Sequence, residues 1–289
     1  MIYEGDVYRP PSEAQSLIIQ LTIGCANNTC TFCGMYKRKQ FRVRKLDEVI
    51  EDLYWVKRFY PYSFDRVFLA DGDALIVKTS DLLTILDKIY EIFPHTKRVT
   101  IYGTAKDVLR KSHEELCQLR EHGLEMVYIG AESGSDKVLR DVDKRVTAAE
   151  TIEACHKLKA ADIKVSMTLI TGLGGRADSR EHAIESAKLV SATKPEYLGL
   201  LTLNLEPDAP LTKDYMAGKF EILSPFGYLE EQKLFLENVD SEGTVLRSNH
   251  VSNYVSLSGT LNRDKERMIA QLDAAIQSGR IRPERYRRL

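Results

Sequence analysis

Apolar, β-branched runs alternate with helically spaced apolar residues along the first 200 positions of the chain. Six runs have the composition of buried strands, at residues 17–22, 66–70, 98–102, 126–131, 165–170 and 197–202. Between them apolar residues recur every three or four positions, as Leu46, Val49 and Leu53 do, which predicts amphipathic helices. Strands that alternate with helices predict right-handed crossovers and a parallel sheet. Because six units are fewer than the eight of a closed TIM barrel, we expect an α/β fold with a partial (β/α)6 barrel.

The pattern changes after residue 206. Prolines and glycines interrupt the chain from Pro207 to Gly227, and only two helical stripes follow, near Tyr228 and near Met268. This region holds few core signals of its own. We therefore predict a barrel with a short N-terminal lead-in at residues 1–206 and a mainly helical C-terminal extension at 207–289 that caps the barrel.

Composition narrows the class of protein. The 289 residues are 43% hydrophobic and carry a net charge of −1, which gives a substantial core without an overall basic face. The apolar runs are shorter than the roughly 18 residues of a membrane span, and the N-terminus lacks the features of a signal peptide. We expect a cytoplasmic protein with no membrane partner. The five arginines between positions 280 and 288 predict a solvated tail, with a nucleic-acid contact as the alternative.

Three of the five cysteines lie within nine residues, directly after the first predicted strand. In a reducing compartment the spacing of Cys25, Cys30 and Cys33 favours a metal site over disulfides. A closed zinc site or a fully ligated iron–sulfur cluster needs four protein ligands. The loop supplies three, so one metal position is open to another ligand.

The alternative is a zinc site whose fourth ligand is a distant histidine, such as His95 or His113. The other two cysteines, Cys117 and Cys155, fall in apolar helical stripes, where we expect them to pack in the core. His113 precedes Cys117 by one helical turn, but two ligands make no metal site.

The cysteine loop resembles the cluster-binding motif of the radical S-adenosylmethionine (radical SAM) enzymes. That family has three cysteines after its first strand and an aromatic residue, here Phe32, before the last of them. The commonest family spacing places three residues between the first two cysteines, whereas this chain has four. The resemblance implies that Cys25, Cys30 and Cys33 hold a [4Fe–4S] cluster whose fourth iron binds S-adenosylmethionine (SAM).

Three further segments resemble family motifs in the same order. Residues 70–73 (Ala-Asp-Gly-Asp) follow the second predicted strand, 130–135 (Gly-Ala-Glu-Ser-Gly-Ser) end the fourth, and 170–175 (Ile-Thr-Gly-Leu-Gly-Gly) end the fifth. The resemblance covers about residues 15–205. It points to the subgroup that contains oxygen-independent coproporphyrinogen oxidase, methylthiotransferases and the elongator acetyltransferase subunit.

The resemblance also implies a set of SAM contacts. Asp71, Gly72 and Asp73 would contact the methionine amino group, and Lys144 or Arg145 the methionine carboxylate. Glu132 and Ser133 would flank the ribose, and Gly172 and Gly174 the adenine. Three of these segments also have a structural alternative. The acidic turn would then only cap the next helix, an internal cation would neutralise Glu132, and residues 133–135 would provide a helix N-cap.

By the same resemblance, a reductant such as flavodoxin or ferredoxin supplies one electron that cleaves SAM. The resulting 5′-deoxyadenosyl radical then abstracts hydrogen from a substrate. Two other hypotheses stay open at this point. One is a non-catalytic iron–sulfur or zinc protein, an electron carrier or scaffold, and the other is a SAM-dependent member of the family that modifies RNA.

Two segments bear on the substrate, which we expect to be a small molecule, with RNA as the alternative. The polar group at 248–254 predicts substrate contacts in which His250 or Tyr254 donates a proton or hydrogen atom; the alternative is a loop that satisfies its own backbone. Asn204 and Glu206 are weaker candidates of the same kind. The basic run at 37–44 predicts an anionic substrate, RNA or a solvated surface.

Overall fold

The structure, a computed structural model, describes residues 3–60 and 63–287. Within these ranges there are ten strands: β1 (Leu17–Gln20), β2 (Thr22–Ile23), β3 (Arg42–Val43), β4 (Arg66–Ala70), β5 (Arg98–Gly103), β6 (Leu124–Glu132), β7 (Lys164–Thr171), β8 (Tyr197–Thr202), β9 (Val245–Ser248) and β10 (Leu257–Thr260).

The helices follow the predicted alternation. Those in the described residues are α1 (Leu46–Phe59), α2 (Thr79–Ile92), α3 (Ala105–Arg110), α4 (His113–Glu121), α5 (Asp136–Asp141), α6 (Ala148–Ala160), α7 (Gly175–Thr193), α8 (Pro210–Met216), α9 (Pro225–Asn238) and α10 (Lys265–Ser278). None of the helices in this part of the chain is long and apolar enough to cross a membrane.

The main sheet has eight strands in the order β1-β4-β5-β6-β7-β8-β9-β10. The ladders of β1 with β4, β4 with β5, β5 with β6, β7 with β8 and β8 with β9 are parallel. All six predicted strands are confirmed as β1, β4, β5, β6, β7 and β8. Since the first six strands of the sheet occur in chain order, the α/β fold with a partial barrel is confirmed.

The C-terminal region adds two strands that the sequence analysis did not predict. β9 pairs parallel with β8, from Tyr197↔Val245 to Gly199↔Arg247, and β10 pairs antiparallel with β9. Both strands are only four residues long, and β10 reads Leu-Ser-Gly-Thr, which lacks an apolar run. A short edge strand takes its stability from its ladder partner, so its sequence carries a weak strand signal.

The chain forms two compact units, one from residues 1–28, 35–129 and 156–165, the other from 29–34, 130–155 and 166–289. In the first, Phe68 packs edge-on against Tyr102 and Tyr128, with ring centroids 4.8 and 5.7 Å away. In the second, α9 packs against α7 and α10. The division at residue 206 into a barrel and a capping extension stays a prediction.

Candidate active site

The cysteine loop is the connection of a small antiparallel hairpin. β2 pairs with β3 through Thr22↔Val43 and Ile23↔Arg42, so the cysteines lie on the segment that joins these strands. Asn28 ties the loop across its width, because its Nδ2 donates to the Tyr36 carbonyl at 2.6 Å. The hairpin follows β1, so the loop begins at the carboxyl end of a barrel strand, where parallel α/β folds place their active sites.

In the second unit the loop is held by backbone hydrogen bonds. The Thr31 amide donates to the carbonyl of Val142 at 2.9 Å, and the Leu211 amide donates to the carbonyl of Thr31 at 2.8 Å. Cys30 is buried and Cys33 is half-buried. Partners from two separate segments therefore fix the backbone between these two cysteines.

The three thiols of the loop are a donor set that suits a [4Fe–4S] cluster with one iron left for another ligand. Among the residues that the structure describes, no three His, Cys, Asp or Glu side chains are arranged to hold one metal ion. A mononuclear site needs every ligand within about 2.3 Å of one metal, whereas a [4Fe–4S] cluster receives each thiolate on a different iron. Assignment of Cys25, Cys30 and Cys33 as cluster ligands stays a prediction.

The acidic turn after β4 is buried and leaves two hydrogen-bond acceptors open. Asp71 and Asp73 are 0% and 2% exposed. In the described part of the chain, the Oδ1 atoms of both carboxyls are buried without a hydrogen-bond partner. A buried polar atom without a partner costs free energy. The turn therefore has the character of a binding site for a donor group, such as an ammonium.

Asp73 forms a carboxyl pair with Asp107, which lies in the first turn of α3. Burial raises the pKa of Asp73 to about 9, and its hydrogen bond to Asp107 adds to the rise, while the Ala26 amide opposes it. Two adjacent buried carboxyls favour sharing one proton over carrying two negative charges. A cation bound beside this pair would lower the pKa and favour ionisation.

Gly72 lets the acidic turn lie directly against the cysteine loop. A Cβ at this position would lie 2.5 Å from Cε2 of Tyr36 and 3.1 Å from Cβ of Cys25. Tyr36 is buried, and burial, with Asp71 as the next cause, raises the pKa of its phenol. Only glycine permits this close packing.

Glu132 ends β6 in a left-handed conformation with φ of 67°. Lys144 donates to its Oε1 at 3.1 Å, and the two side chains are only 12% and 14% exposed. Arg145 instead pairs with Asp143 at 3.0 Å, and its side chain is 56% exposed. Of the two cations predicted for the methionine carboxylate, the structure brings Lys144 to the strand end and leaves Arg145 on the surface.

Ser133 is 1% exposed and uses its hydroxyl inside the fold. It donates to Nδ1 of His182 at 2.8 Å and accepts from the Ser135 amide at 3.0 Å. Nε2 of His182 donates to the Ile170 carbonyl at 3.0 Å. Burial lowers the pKa of this histidine to about 4, so it is neutral near pH 7. The N-cap of α5 is supplied by Ser135, whose Oγ accepts from the Val138 amide.

The glycine turn after β7 is held by α9. Gly172 has a φ of 84°, and its amide donates to Oε1 of Glu231 at 2.5 Å. A Cβ on Gly172 would lie 2.1 Å from the ring of Tyr228. Ser179 donates to the other oxygen of Glu231, and burial raises the pKa of this carboxyl to about 7. Gly174 is the residue that precedes α7.

Sequence reasoning missed the residues that support these turns from behind, namely Glu231 and His182. A signal for the glutamate does exist in the helix pattern. Glu231 lies three residues after Tyr228 and four before Phe235, so it falls on the apolar face of α9. A carboxylate on such a face must be buried against a donor.

The polar segment at 248–254 binds mainly to its own fold. Nδ1 of His250 lies 2.8 Å from Oγ of Ser252, and the hydroxyl of Tyr254 donates to Glu284 at 2.8 Å. Burial, then the charge of Arg282, lowers the pKa of His250. The two predicted donors thus have internal partners, and their catalytic role stays a prediction.

The arginine tail is exposed at Arg280 and Arg285, as expected, but folds back at Arg282 and Arg287. Nη1 of Arg282 donates to the carbonyls of His250, Val251 and Asn253 at 2.8–3.0 Å. Arg287 stacks on the ring of Tyr254, with 3.7 Å between its Cζ and the ring centroid. The backbone carbonyls of the 250–253 loop accept these hydrogen bonds, and this explains why Arg282 is not solvated as expected. Arg288 lies outside the described residues.

The basic run after the cysteine loop is largely engaged by partners in the first unit. Lys39 pairs with Asp71 at 2.7 Å, and Arg44 pairs with Asp52 at 2.7 Å. Arg42 pairs with Glu4 and Glu48 at the surface, and Lys37 donates to a backbone carbonyl. These four cations therefore bind carboxylates or a backbone carbonyl of the protein itself. The weaker candidates Asn204 and Glu206 lie 3.5 Å apart, from Nδ2 to Oε1.

Comparison with known proteins places these features in a family. The chain is 23% identical over 256 residues to a threonylcarbamoyladenosine tRNA methylthiotransferase of Rickettsia prowazekii, covering 82% of this chain and 59% of the relative. It is 25% identical over 205 residues to a tRNA-2-methylthio-N(6)-dimethylallyladenosine synthase of Petrotoga mobilis, covering 68% of this chain and 45% of the relative. The chain thus spans about half the length of these relatives.

The fold is also similar to that of coproporphyrinogen III oxidase from Escherichia coli, a radical SAM enzyme, with a TM-score of 0.59 and 18% identity. That match covers 77% of this chain and 52% of the oxidase. The model of the Radical SAM superfamily, whose members use a [4Fe–4S] cluster and SAM, matches residues 19–189, more than half of the sequence. The chain belongs to the radical SAM superfamily.

Proposed function

We propose that this chain is a radical SAM enzyme in which Cys25, Cys30 and Cys33 ligate the cluster and the turn at 71–73 binds the methionine end of SAM. One observation carries the proposal most directly: two buried carboxyl oxygens, without a hydrogen-bond partner in residues 3–60 and 63–287, lie on a turn that packs against the first cysteine. When bound, the cluster and SAM supply a 5′-deoxyadenosyl radical that abstracts hydrogen from the substrate.

The acidic turn receives the amino group of the methionine. Oδ1 of Asp71 and Oδ1 of Asp73 accept hydrogen bonds from the ammonium, which satisfies both atoms. Gly72 keeps the backbone of the turn close to Cys25, so the residues that would hold the ammonium lie beside a proposed cluster ligand. Asp73, whose pKa is raised to about 9, would lose its proton as the cation binds.

The ribose and carboxylate side depends on the ion pair of Glu132 and Lys144. We assign the ribose hydroxyls to Glu132 and the methionine carboxylate to Lys144, with Arg145 as the weaker choice for the latter. SAM binding would then replace the internal ion pair with an opposite-charge contact at Lys144 and with hydrogen bonds from the ribose hydroxyls at Glu132. Ser133 supports the ribose side through its hydrogen bond to His182. The backbone of the turn at Gly172 and Gly174 would lie against the adenine.

The substrate is proposed to be a small molecule under the C-terminal extension at 207–289, with His250 or Tyr254 as donor groups. An electron carrier such as flavodoxin or ferredoxin is proposed as the reductant. The two methylthiotransferase relatives act on tRNA by their names. Because the basic run at 37–44 is largely engaged by internal partners, it gives an RNA substrate little support.

The test is anaerobic reconstitution with iron and sulfide, reduction with dithionite, addition of SAM, and mass spectrometry for 5′-deoxyadenosine. The wild type is expected to form this product, and Cys30→Ala is expected to form none. Cys117→Ala is the matched control, because Cys117 lies outside the loop on α4 and is expected to leave product formation unchanged. Zinc in place of iron in protein purified without oxygen would refute the proposal.

A further inference from the structure

Asp71 contacts both ends of the cysteine loop with a single oxygen. Its Oδ2 accepts from the Gly24 amide at 3.0 Å, directly before Cys25, and from Nζ of Lys39 at 2.7 Å, beyond the last cysteine. Nε2 of Gln20 is a third donor to the same oxygen at 3.4 Å. Oδ1 takes no part in these contacts and has no hydrogen-bond partner among the residues that the structure describes.

Lys39 brings two further segments to the same point. Its ammonium also donates to the carbonyl of Asp6 in the N-terminal lead-in. A Cβ built on Gly24 would lie 3.2 Å from Cβ of Lys39, so the two ends of the loop touch. The ammonium lies 5.5 Å from the ring centroid of Tyr36, the residue that packs against Gly72.

We infer that Asp71, Lys39 and the Gly24 amide form a clamp that closes the cysteine loop and fixes the position of Cys25 before any cofactor binds. The inference rests on the proposed function for the purpose of the loop, while the clamp itself belongs to the protein without its cluster. Asp71 is then a positioning residue through Oδ2, in addition to the proposed methionine contact through Oδ1.

Burial sets this ion pair apart from its neighbours in the basic run. The Asp71 and Lys39 side chains are 0% and 9% exposed. In the Arg42–Glu4 pair, the arginine side chain is 43% exposed and the glutamate side chain 57%. An exposed pair contributes little because solvent screens it. Removal of one partner of a buried pair leaves a desolvated charge, so the structure around it must open.

The clamp also lowers the conformational entropy of the cluster-free loop. A segment that carries three metal ligands must be ordered before it can hold a cluster, and the ordering cost falls on cluster assembly if the free loop is mobile. Closing the loop at Gly24 and Lys39 transfers this cost to folding. Cys25, next to the clamped amide, is the cysteine whose position depends on it most.

The experiment is hydrogen exchange with mass spectrometry on the cluster-free, reduced protein, comparing the wild type with Asp71→Asn and Lys39→Met. Asp65→Asn and Lys97→Met are the matched controls, because this aspartate–lysine pair is 2.9 Å apart, against 2.7 Å in the clamp, but has side chains 58% and 77% exposed. Iron bound per chain after reconstitution is measured on the same variants. Lys39→Arg tests rescue by a retained cation.

We expect peptides from residues 24–39 to exchange about tenfold faster in both clamp variants, with no change in β5 or β6 and none in the controls. Iron uptake falls in the clamp variants, and Lys39→Arg restores most of the protection. Unchanged loop exchange in Lys39→Met overturns the clamp, and this variant decides the matter if Asp71→Asn fails to fold. Wild-type protein that forms no 5′-deoxyadenosine but shows the expected exchange pattern would refute the proposed function and leave the clamp standing.

Discussion

At the scale of single residues, buried polar groups at the strand ends carry most of the information about the site. Glu231, Asp71 and Asp73 are all nearly inaccessible to solvent, and each lies on or behind a turn that the family resemblance assigns to SAM. Fold stability alone does not favour such groups, since burial of a carboxylate costs free energy. Glu231 is satisfied by the Gly172 amide and Ser179, whereas the open acceptors of Asp71 and Asp73 support the proposed SAM contact.

Glu231 makes the stability of the protein depend on pH in a defined direction. Burial raises its pKa from 4.5 to about 7. Between these values the folded chain holds a proton that the unfolded chain releases, so the contribution of this group is full below pH 4.5 and is lost as the pH rises through 7. Relative to Glu231→Gln, the wild type is expected to lose about 3 kcal/mol of unfolding free energy between pH 4.5 and 8.

Urea denaturation of both proteins at pH 5, 6, 7 and 8 measures this difference. A difference that does not vary with pH would show that Glu231 ionises normally in the folded state.

Gly72 is expected to tolerate no side chain. In Gly72→Ala the new methyl group would lie 2.5 Å from the ring of Tyr36 and 3.1 Å from Cβ of Cys25. Overpacking of a buried contact costs about 1–3 kcal/mol, and here it also displaces the first cysteine. Urea denaturation of the cluster-free protein measures the loss. Gly199→Ala is the control, since its nearest neighbours lie at 3.7 Å, and an equal loss in both variants would contradict the packing argument.

At the scale of elements, the C-terminal tail acts as a support for the polar segment at 248–254. Arg282 saturates three carbonyls of that segment, and Arg287 donates to the Ser252 carbonyl at 2.7 Å. The tail therefore orders the segment to which His250 and Tyr254 belong.

Arg282→Met is expected to lower the unfolding free energy by about 2 kcal/mol, because three partly buried acceptors lose a charged donor. Thermal and urea denaturation measure the change. Arg280→Met, at an exposed position of the same tail, serves as the comparison and is expected to have no effect. Equal stability of the two variants would mean that water replaces the Arg282 hydrogen bonds without cost.

At the scale of the whole molecule, the barrel strands were predictable and the C-terminal contribution to the sheet was not. Runs such as 66–70 and 126–131 are apolar because both faces of a parallel strand are covered, and this leaves a continuous signal in the sequence. β9 and β10 are short and depend on β8, and Glu231 acts on Gly172 from a helix 59 residues later. The helix pattern marks Glu231 as a buried carboxyl, but a local pattern does not identify a partner at such a separation.

The contacts that β9 makes with β8, and α9 with α7, predict that the barrel does not fold without the extension. A fragment of residues 1–206 lacks β9, which leaves the edge of β8 unpaired, and lacks α9, which covers α7 and fills the space at Gly172 with the Tyr228 ring. An unpaired parallel edge and an uncovered helix face both favour aggregation. We expect the fragment to show no cooperative thermal transition by circular dichroism, whereas a chain ending at residue 279 retains one at a reduced midpoint. A cooperative transition in the fragment at the full-length midpoint would identify residues 1–206 as an autonomous domain and the extension as a separable cap.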